Sequence, residues 1–315
     1  MAIDYSLIIP VYRNEEFLPE LLEAISHITA AVNGAMEVVF IIDGSPDNSE
    51  AWLAQHLSAF KTPSQLIALS RNFGSFTAVR TGLAAARGEH IAVMAADLQE
   101  PPELVIDFFK RLKDGSGDII IGTRSARDDP GQASSSLFWK LYKTLVQPEI
   151  PAGGVDVFAI SRRARDALLQ LDEAHSSLIA QLFWIGFPRV EVPYERRVRK
   201  YGVSGWTFRK KATYLLDSVF SFTAIPITLL MLIGFAGTIS FTVLGVALMI
   251  ARAMNVIAVP GYTAIMVTVL FSASLILLGL GIVGAYVWRA YENTKQRPLG
   301  IVRQRSLFGE FGGPT

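Results

Sequence analysis

A doubly wound, mostly parallel α/β sheet followed by a two-helix transmembrane region is the fold class this sequence predicts, and three observations predict it. Strand-like and helix-like segments alternate through the first half of the chain. The strand-like runs end in polar turns, the usual place for ligands in open α/β sheets. Hydrophobic residues make up 51% and charged residues 18% of the 315 positions, yet two long stretches after Phe222 carry no charge at all.

Taken in order, Ser6-Leu7-Ile8-Ile9-Pro10-Val11 reads as a buried strand, and Glu15 to Ala31 places Phe17, Leu21, Leu22, Ile25 and Ile28 at helical spacing. Met36 to Ile42 repeats the strand signal. It stops at Asp43-Gly44-Ser45-Pro46-Asp47-Asn48-Ser49, and Ala51 to Leu57 is helical. Gln65 to Leu69 is a third strand, leading through Ser70-Arg71-Asn72-Phe73-Gly74 into a helix over Ser75 to Ala86. The fourth strand, Ile91 to Ala96, ends at Asp97-Leu98-Gln99-Glu100-Pro101-Pro102, and Asp118 to Gly122 is a fifth. Asp43, Asn72 and Asp97 are then expected along one sheet edge.

Asp97 followed two residues later by Gln99 offers two oxygens to one hard cation, the pattern of a metal-diphosphate site. The same residues also suit a plain turn, with Asp97 capping the approach to a helix near Pro102 and Glu103 in its first turn. The net charge of +1 gives no bulk attraction for nucleic acid, which is not expected as a partner. With no cysteine, disulfides, thiolate catalysis and cysteine-ligated zinc are excluded. Met1-Ala2-Ile3-Asp4-Tyr5-Ser6 lacks a basic region ahead of an apolar core, so no cleaved secretory signal is expected.

Ile9-Pro10-Val11-Tyr12-Arg13-Asn14-Glu15, Asp43-Gly44-Ser45, Arg71-Asn72-Phe73-Gly74 and Ala96-Asp97-Leu98-Gln99 with Pro101-Pro102 resemble the GT-A glycosyltransferases of family 2. The nearest group is the polyprenyl-phosphate glycosyltransferases, similar to dolichol-phosphate mannose synthase and bacterial undecaprenyl-phosphate glucosyltransferases. The resemblance runs from Ser6 to about Asn293 and implies a GT-A sheet. It implies Mg²⁺ or Mn²⁺ on Asp97 and Gln99, and donor contacts from Pro10, Val11, Tyr12, Asp43, Asn72 and Ala96. The family usually writes Asp-Asp-Gly-Ser and Asp-Ala-Asp, where this chain has Ile42-Asp43-Gly44-Ser45 and Ala95-Ala96-Asp97, so one carboxylate of each pair is missing. Asp43 alternatively forms an Asx-turn before Gly44.

Further along, Leu137-Phe138-Trp139-Lys140-Leu141-Tyr142-Lys143-Thr144-Leu145-Val146 suits either a membrane interface or packing on the sheet. Gly153-Gly154-Val155-Asp156 follows. The resemblance puts Asp156 in the catalytic site near the acceptor, whereas its spacing also fits a cap before Ser161-Arg162. The cluster from Glu195 to Lys211 supplies cations and hydroxyls between two glycines. Arg199, Lys200, Ser204 and Lys211 fit the family's phosphate-binding loop, with Arg199 and Lys200 catalytic; attraction to anionic lipid headgroups is the second explanation.

Pro226 to Ala251 and Tyr262 to Trp288 each run about 26 residues without a charge, where roughly 20 cross the hydrocarbon core. Arg209, Lys210 and Lys211 precede the first, and Arg289, Lys295, Arg297, Arg303 and Arg305 follow the second, so both flanks are expected in the cytoplasm. The expected organisation is a catalytic domain over 1–205, a basic juxtamembrane segment over 206–225, two inner-membrane spans over 226–290 and a cytoplasmic tail over 291–315. Gly234, Gly237, Gly279, Gly281 and Gly284 suit close helix contact within or between subunits, and the family favours a homotetramer.

The reaction implied is inverting transfer of a hexose from a nucleotide diphosphate sugar to polyprenyl phosphate at the cytoplasmic membrane face. UDP-glucose and undecaprenyl phosphate come first, then GDP-mannose or another UDP-sugar. A processive polysaccharide synthase is disfavoured by two spans and the lack of a Gln-x-x-Arg-Trp motif. A non-catalytic scaffold is disfavoured by Asp97, Gln99, Asp156 and the basic loop.

Overall fold

Continuous apolar runs, rather than alternating ones, build strands that are covered on both faces. β1 (Tyr5–Val11), β2 (Met36–Ile42) and β3 (Ser64–Leu69) are buried almost throughout. The computed structural model describes residues 3–124, 142–144, 146–151, 154–173, 176–197, 208–254 and 261–309. Between these strands lie α1 (Leu18–Ala31), α2 (Ser49–His56) and α3 (Ser75–Ala85), and after them β4 (His90–Val93), α4 (Pro102–Lys113), β5 (Ile119–Arg124) and β6 (Phe158–Ser161). The chain continues as α5 (Arg162–Leu169), α6 (Leu178–Trp184), β7 (Arg189–Tyr194), α7 (Phe208–Phe222), α8 (Ile225–Ala253), α9 (Tyr262–Thr294) and β8 (Val302–Phe308).

The strands form one sheet of eight in the order β7-β5-β6-β4-β1-β2-β3-β8. Its centre is the parallel run β4-β1-β2-β3, whose order reverses between β1 and β4, and that reversal is where an open sheet leaves a crevice. The sheet is more mixed than the expected mostly parallel one. β6 runs antiparallel to β4 and β5, and β8 antiparallel to β3. β5 and β7 are parallel to each other.

Residues 302–308, expected within a C-terminal tail, instead complete the sheet, with Ser64 opposite Phe308 and Leu69 opposite Val302. Side chains fix the strand there. Arg305 donates to Gln65 Oε1 at 2.6 Å, Gln65 Nε2 donates to the fully buried Glu37 at 2.8 Å, and Arg303 reaches Glu50 at 2.6 Å. The pattern Val302-Arg303-Gln304-Arg305 is mostly exposed and carries a weak strand signal, which is why the pairing is not readable from the chain alone.

The chain divides into two units, Met1–Tyr214 with Pro298–Thr315, and Leu215–Arg297. In the second unit Arg289 donates to Asp217 at 2.7 Å and lies over the Phe220 ring, while Lys295 lies over Trp288 and Tyr291. Of the glycines expected at helix contacts, Gly279 approaches Leu230; a Cβ at Gly234, Gly237, Gly281 or Gly284 would meet nothing within 4 Å. Phe271–Thr294 is long and apolar enough to cross a membrane among the described residues. A second apolar pair, Thr213–Phe222 with Ile225–Gly237, is bent by 76°.

Candidate active site

Strand direction gathers the expected site on one edge. β1 to β5 and β7 all point their carboxyl ends there, while the reversed β6 and β8 bring their amino ends. Tyr12, Asp43, Asn72, Asp97, Arg124, Asp156 and Tyr194 therefore converge from seven different strands. Asp156 is included because β6 runs backwards.

The first layer of this edge is held by Asp43. Its carboxylate accepts from the backbone N–H groups of Phe73 at 2.7 Å and Gly74 at 2.9 Å, and its carbonyl accepts from Asn72 Nδ2 at 3.2 Å. Burial lifts its carboxyl above the ordinary range, against the pull of those amides and of Arg71. Only 3% exposed, Asp43 positions the Asn72–Gly74 turn. Gly44, at φ 58°, is needed beside it, since a Cβ there would stand 2.4 Å from the Arg71 carbonyl carbon and the Asn72 nitrogen.

At two of the expected donor contacts the side chain faces the core. The Val11 side chain is wholly buried in the core, so its contribution to the edge is its carbonyl, which accepts from the Asp43 N–H at 3.0 Å. Ala96 is 3% exposed and likewise packs into the core. Pro10 is half-buried, and Tyr12, 40% exposed with Arg13 over its ring, presents side-chain surface. The missing carboxylate at Ile42 has a packing explanation: that side chain is 1% exposed in the core.

Asp97 lies four residues beyond β4, at 8% exposure, with the Gln99 N–H 3.4 Å from Oδ1. Leu98 between them adopts φ 53°, a left-handed conformation that costs a leucine roughly 1–2 kcal/mol. Packing of Leu98 against the core stabilises that turn. Gln99 Oε1 accepts from Arg196 Nη2 at 2.6 Å, Gln99 Nε2 donates to the Arg197 carbonyl at 3.3 Å, and the Arg197 N–H donates to the Gln99 carbonyl at 2.8 Å. The segment after β7 is thus laced to the metal-candidate turn.

Asp156 is bound by the Arg124 guanidinium, with Nε at 2.5 Å, and by Tyr194 Oη at 3.2 Å. Burial, followed by the charges of Asp156 and Glu100, raises the Tyr194 phenol well above its ordinary value and keeps it a donor. Glu100 is 1% exposed; burial, with Asp156 and Asp97 nearby, pushes its carboxyl up to about 7. Arg196 Nε stands 4.0 Å from Glu100 Oε1. The edge therefore sets three acids, Asp97, Glu100 and Asp156, against Arg124 and Arg196. Glu100, Arg124 and Tyr194 carry no role expected from the sequence, and Arg196 only a general one as a cation of the Glu195 to Lys211 cluster; the nearest signal for Glu100 is its adjacency to Gln99.

Asp97 and Gln99 fit a hard divalent cation. Mg²⁺ and Mn²⁺ prefer oxygen donors and are commonly held by one or two protein oxygens, with substrate phosphate and water completing the shell. No group of three or more His, Asp or Glu suited to an ion occurs among the described residues. Arg199, Lys200 and Ser204 lie outside the described residues, as do the side chain of Lys211 and most of 137–146.

Residues 6–165, from β1 into α5, match the family model described as glycosyl transferase family 2. A putative glycosyltransferase CsbB of Bacillus subtilis is 34% identical over 96% of this chain and 92% of its own length. A bactoprenol glucosyl transferase of Shigella phage SfX is 28% identical over 95% of this chain and 99% of its own. The fold is similar to glucosyl-3-phosphoglycerate synthase of Mycobacterium tuberculosis, solved with Mn²⁺, UDP and glucosyl-3-phosphoglycerate, at TM-score 0.51 and 17% identity over 69% of this chain and 80% of that one. With the family motifs standing on one edge of a GT-A-like sheet, this chain belongs to glycosyl transferase family 2.

Proposed function

We propose that this glycosyltransferase moves glucose from UDP-glucose to undecaprenyl phosphate at the cytoplasmic membrane face, with inversion at C1. The observation that carries the reading is the composition of the sheet edge: an oxygen pair suited to a metal-diphosphate, flanked by guanidinium groups. β7 ends there and β8 begins there, with the Ser70 N–H bonded to the Ile301 carbonyl at 2.9 Å. A bactoprenol glucosyl transferase among the relatives supports the acceptor class and the sugar.

The sheet supports a paired-span topology. Because β1 to β3 and β8 share one sheet, the chain between them must cross a membrane an even number of times or not at all. α9 contains a segment able to cross, and α8, of 29 residues, is the return element we propose. Outward Leu229, Met231, Phe235, Leu277 and Leu280 give both helices apolar surface suited to lipid.

In the proposed reaction an oxygen of the acceptor phosphate attacks C1 of the sugar and the nucleoside diphosphate departs. The phosphate is already unprotonated near pH 7, its second pKa being about 6, so no base is required. Asp156 fits this, since Arg124 and Tyr194 engage its carboxylate; the pair orients charge near the acceptor rather than taking a proton. Asp97 and Gln99 would hold Mg²⁺ or Mn²⁺, which when bound compensates charge on the leaving diphosphate. Tyr12, Asn72 and the Asp43-held turn contact the nucleotide, and Arg199, Lys200, Ser204 and Lys211 close on the phosphates. Membranes containing the chain, given radiolabelled UDP-glucose and undecaprenyl phosphate, should yield an extractable lipid-linked monosaccharide. Label in polymer, label only from GDP-mannose, or none at all would reject the assignment.

A further inference from the structure

One interaction at this edge competes with the role given to one of its members. Gln99 Oε1, the second oxygen of the candidate metal pair, is held by Arg196 Nη2 at 2.6 Å. A guanidinium and a divalent cation on one amide oxygen would lie within a few ångströms of each other and repel. The same guanidinium has a second partner within reach: its Nε is 4.0 Å from Glu100 Oε1, and the other oxygen of that carboxylate, Oε2, is buried and without a hydrogen-bond partner among the described residues. A buried carboxylate oxygen left unbonded is costly, so Glu100 attracts any donor able to reach it.

The geometry points to Arg196 as a two-position cation that guards the metal site, bonded to Gln99 until a divalent ion claims that oxygen and then turning onto Glu100. This rests on the proposed metal-diphosphate reading of Asp97 and Gln99. Only the side chain need move. The backbones stay joined by Arg197 N–H to the Gln99 carbonyl, and Arg197 is further tied to Glu103 at 3.6 Å. Metal binding then costs the loss of one charge-assisted hydrogen bond and gains another at Glu100, so that Arg196 sets the affinity for the ion and Glu100 offsets part of the cost. Arg196 is a positioning residue here.

Binding of Mn²⁺ alone to the full-length chain in detergent, followed by electron paramagnetic resonance of the free ion, tests this without turnover. Arg196→Ala should tighten Mn²⁺ by about five- to tenfold, the usual scale of such coupling. Glu100→Gln should weaken it, and by clearly less in the Arg196→Ala background, because part of its effect passes through the arginine and only the rest is direct attraction to the ion. Unchanged or weaker binding in Arg196→Ala, or an equal effect of Glu100→Gln in both backgrounds, overturns the proposal while leaving the metal site standing. Lack of Mn²⁺ binding by the wild type, or full binding by Asp97→Asn, overturns the metal reading and this proposal with it.

Discussion

Replacing Glu100 with glutamine should change how stability depends on pH. The carboxyl is 1% exposed and stands near Asp97 and Asp156, and its folded value of about 7 compares with an ordinary 4.5. A raised acid value means that the folded state holds its proton more tightly than the unfolded chain does. Stability is then full below about pH 4.5, declines as pH rises between 4.5 and 7, and levels off above, for a loss of about 3 kcal/mol across the window. Glutamine keeps the shape without the charge, so Glu100→Gln should match the wild type near pH 4.5 and exceed it by about 3 kcal/mol at pH 8.5. For a unit of this size that corresponds to a Tm gain on the order of 5–10 °C. Thermal unfolding of detergent-solubilised protein in EDTA, from pH 4.5 to 8.5, measures it. Parallel Tm curves for the two proteins would refute the burial argument.

Three further outcomes are expected. Asp97→Asn should lower sugar transfer by about a hundredfold or more while leaving circular dichroism unchanged; near-normal turnover, or full wild-type activity in EDTA, would contradict the metal assignment. Gly44→Ala adds a Cβ 2.4 Å from backbone atoms of Arg71 and Asn72 at a left-handed φ, and should cost about 2 kcal/mol or more in thermal stability and weaken UDP binding. Reporter fusions after Gly205 and after Pro298 should both report cytoplasm, and one near Asn255 the opposite face; a C-terminal reporter on the far side would contradict the even number of crossings that the β3–β8 pairing requires.

The parallel half of the sheet is legible because each strand there is an uninterrupted apolar run bounded by turn residues; β2 matches its expected limits, Met36 to Ile42. β4 ends three residues earlier than expected, since Met94 to Ala96 continue the apolar run while leaving the ladder toward Asp97. β7 and β8 are less readable. Arg189-Val190-Glu191-Val192-Pro193-Tyr194 and Val302-Arg303-Gln304-Arg305 alternate with charge and contain a proline or little apolar area, as strands at sheet edges do. In the site, local order is enough to put Asp97 and Gln99 at a strand end, whereas Asp156 is expected there from the family resemblance, since its spacing alone also fits a helix cap. Local order could not find Arg124 with Asp156, or Arg196 with Gln99, since those pairs arise from strands brought together only by the order β7-β5-β6-β4.

Three residues that break local rules stand on this edge, though others, such as Gln296 at φ 47°, lie elsewhere. Arg13 and Leu98 take positive φ without being glycine, and Glu100 is a buried acid with one oxygen unbonded among the described residues. Each conformation is unfavourable taken singly, and each is stabilised by a neighbour from elsewhere in the chain. The Arg13 N–H donates to Ser45 Oγ at 2.7 Å, Ser45 in turn donates to Asp47 at 2.5 Å, and Leu98 is packed on the core. Burial of Ile8, Ile9, Val39, Phe40 and Ala92 beneath them supplies the rigid floor against which such strain persists. The turn at Leu98 links Asp97 to Gln99, whose N–H reaches Asp97 Oδ1 at 3.4 Å, so relaxing it would alter how the two residues face this edge. Strain at this edge is therefore best read as the conformational cost of aiming backbone and side chains at a ligand, met by a core in which the local rules hold.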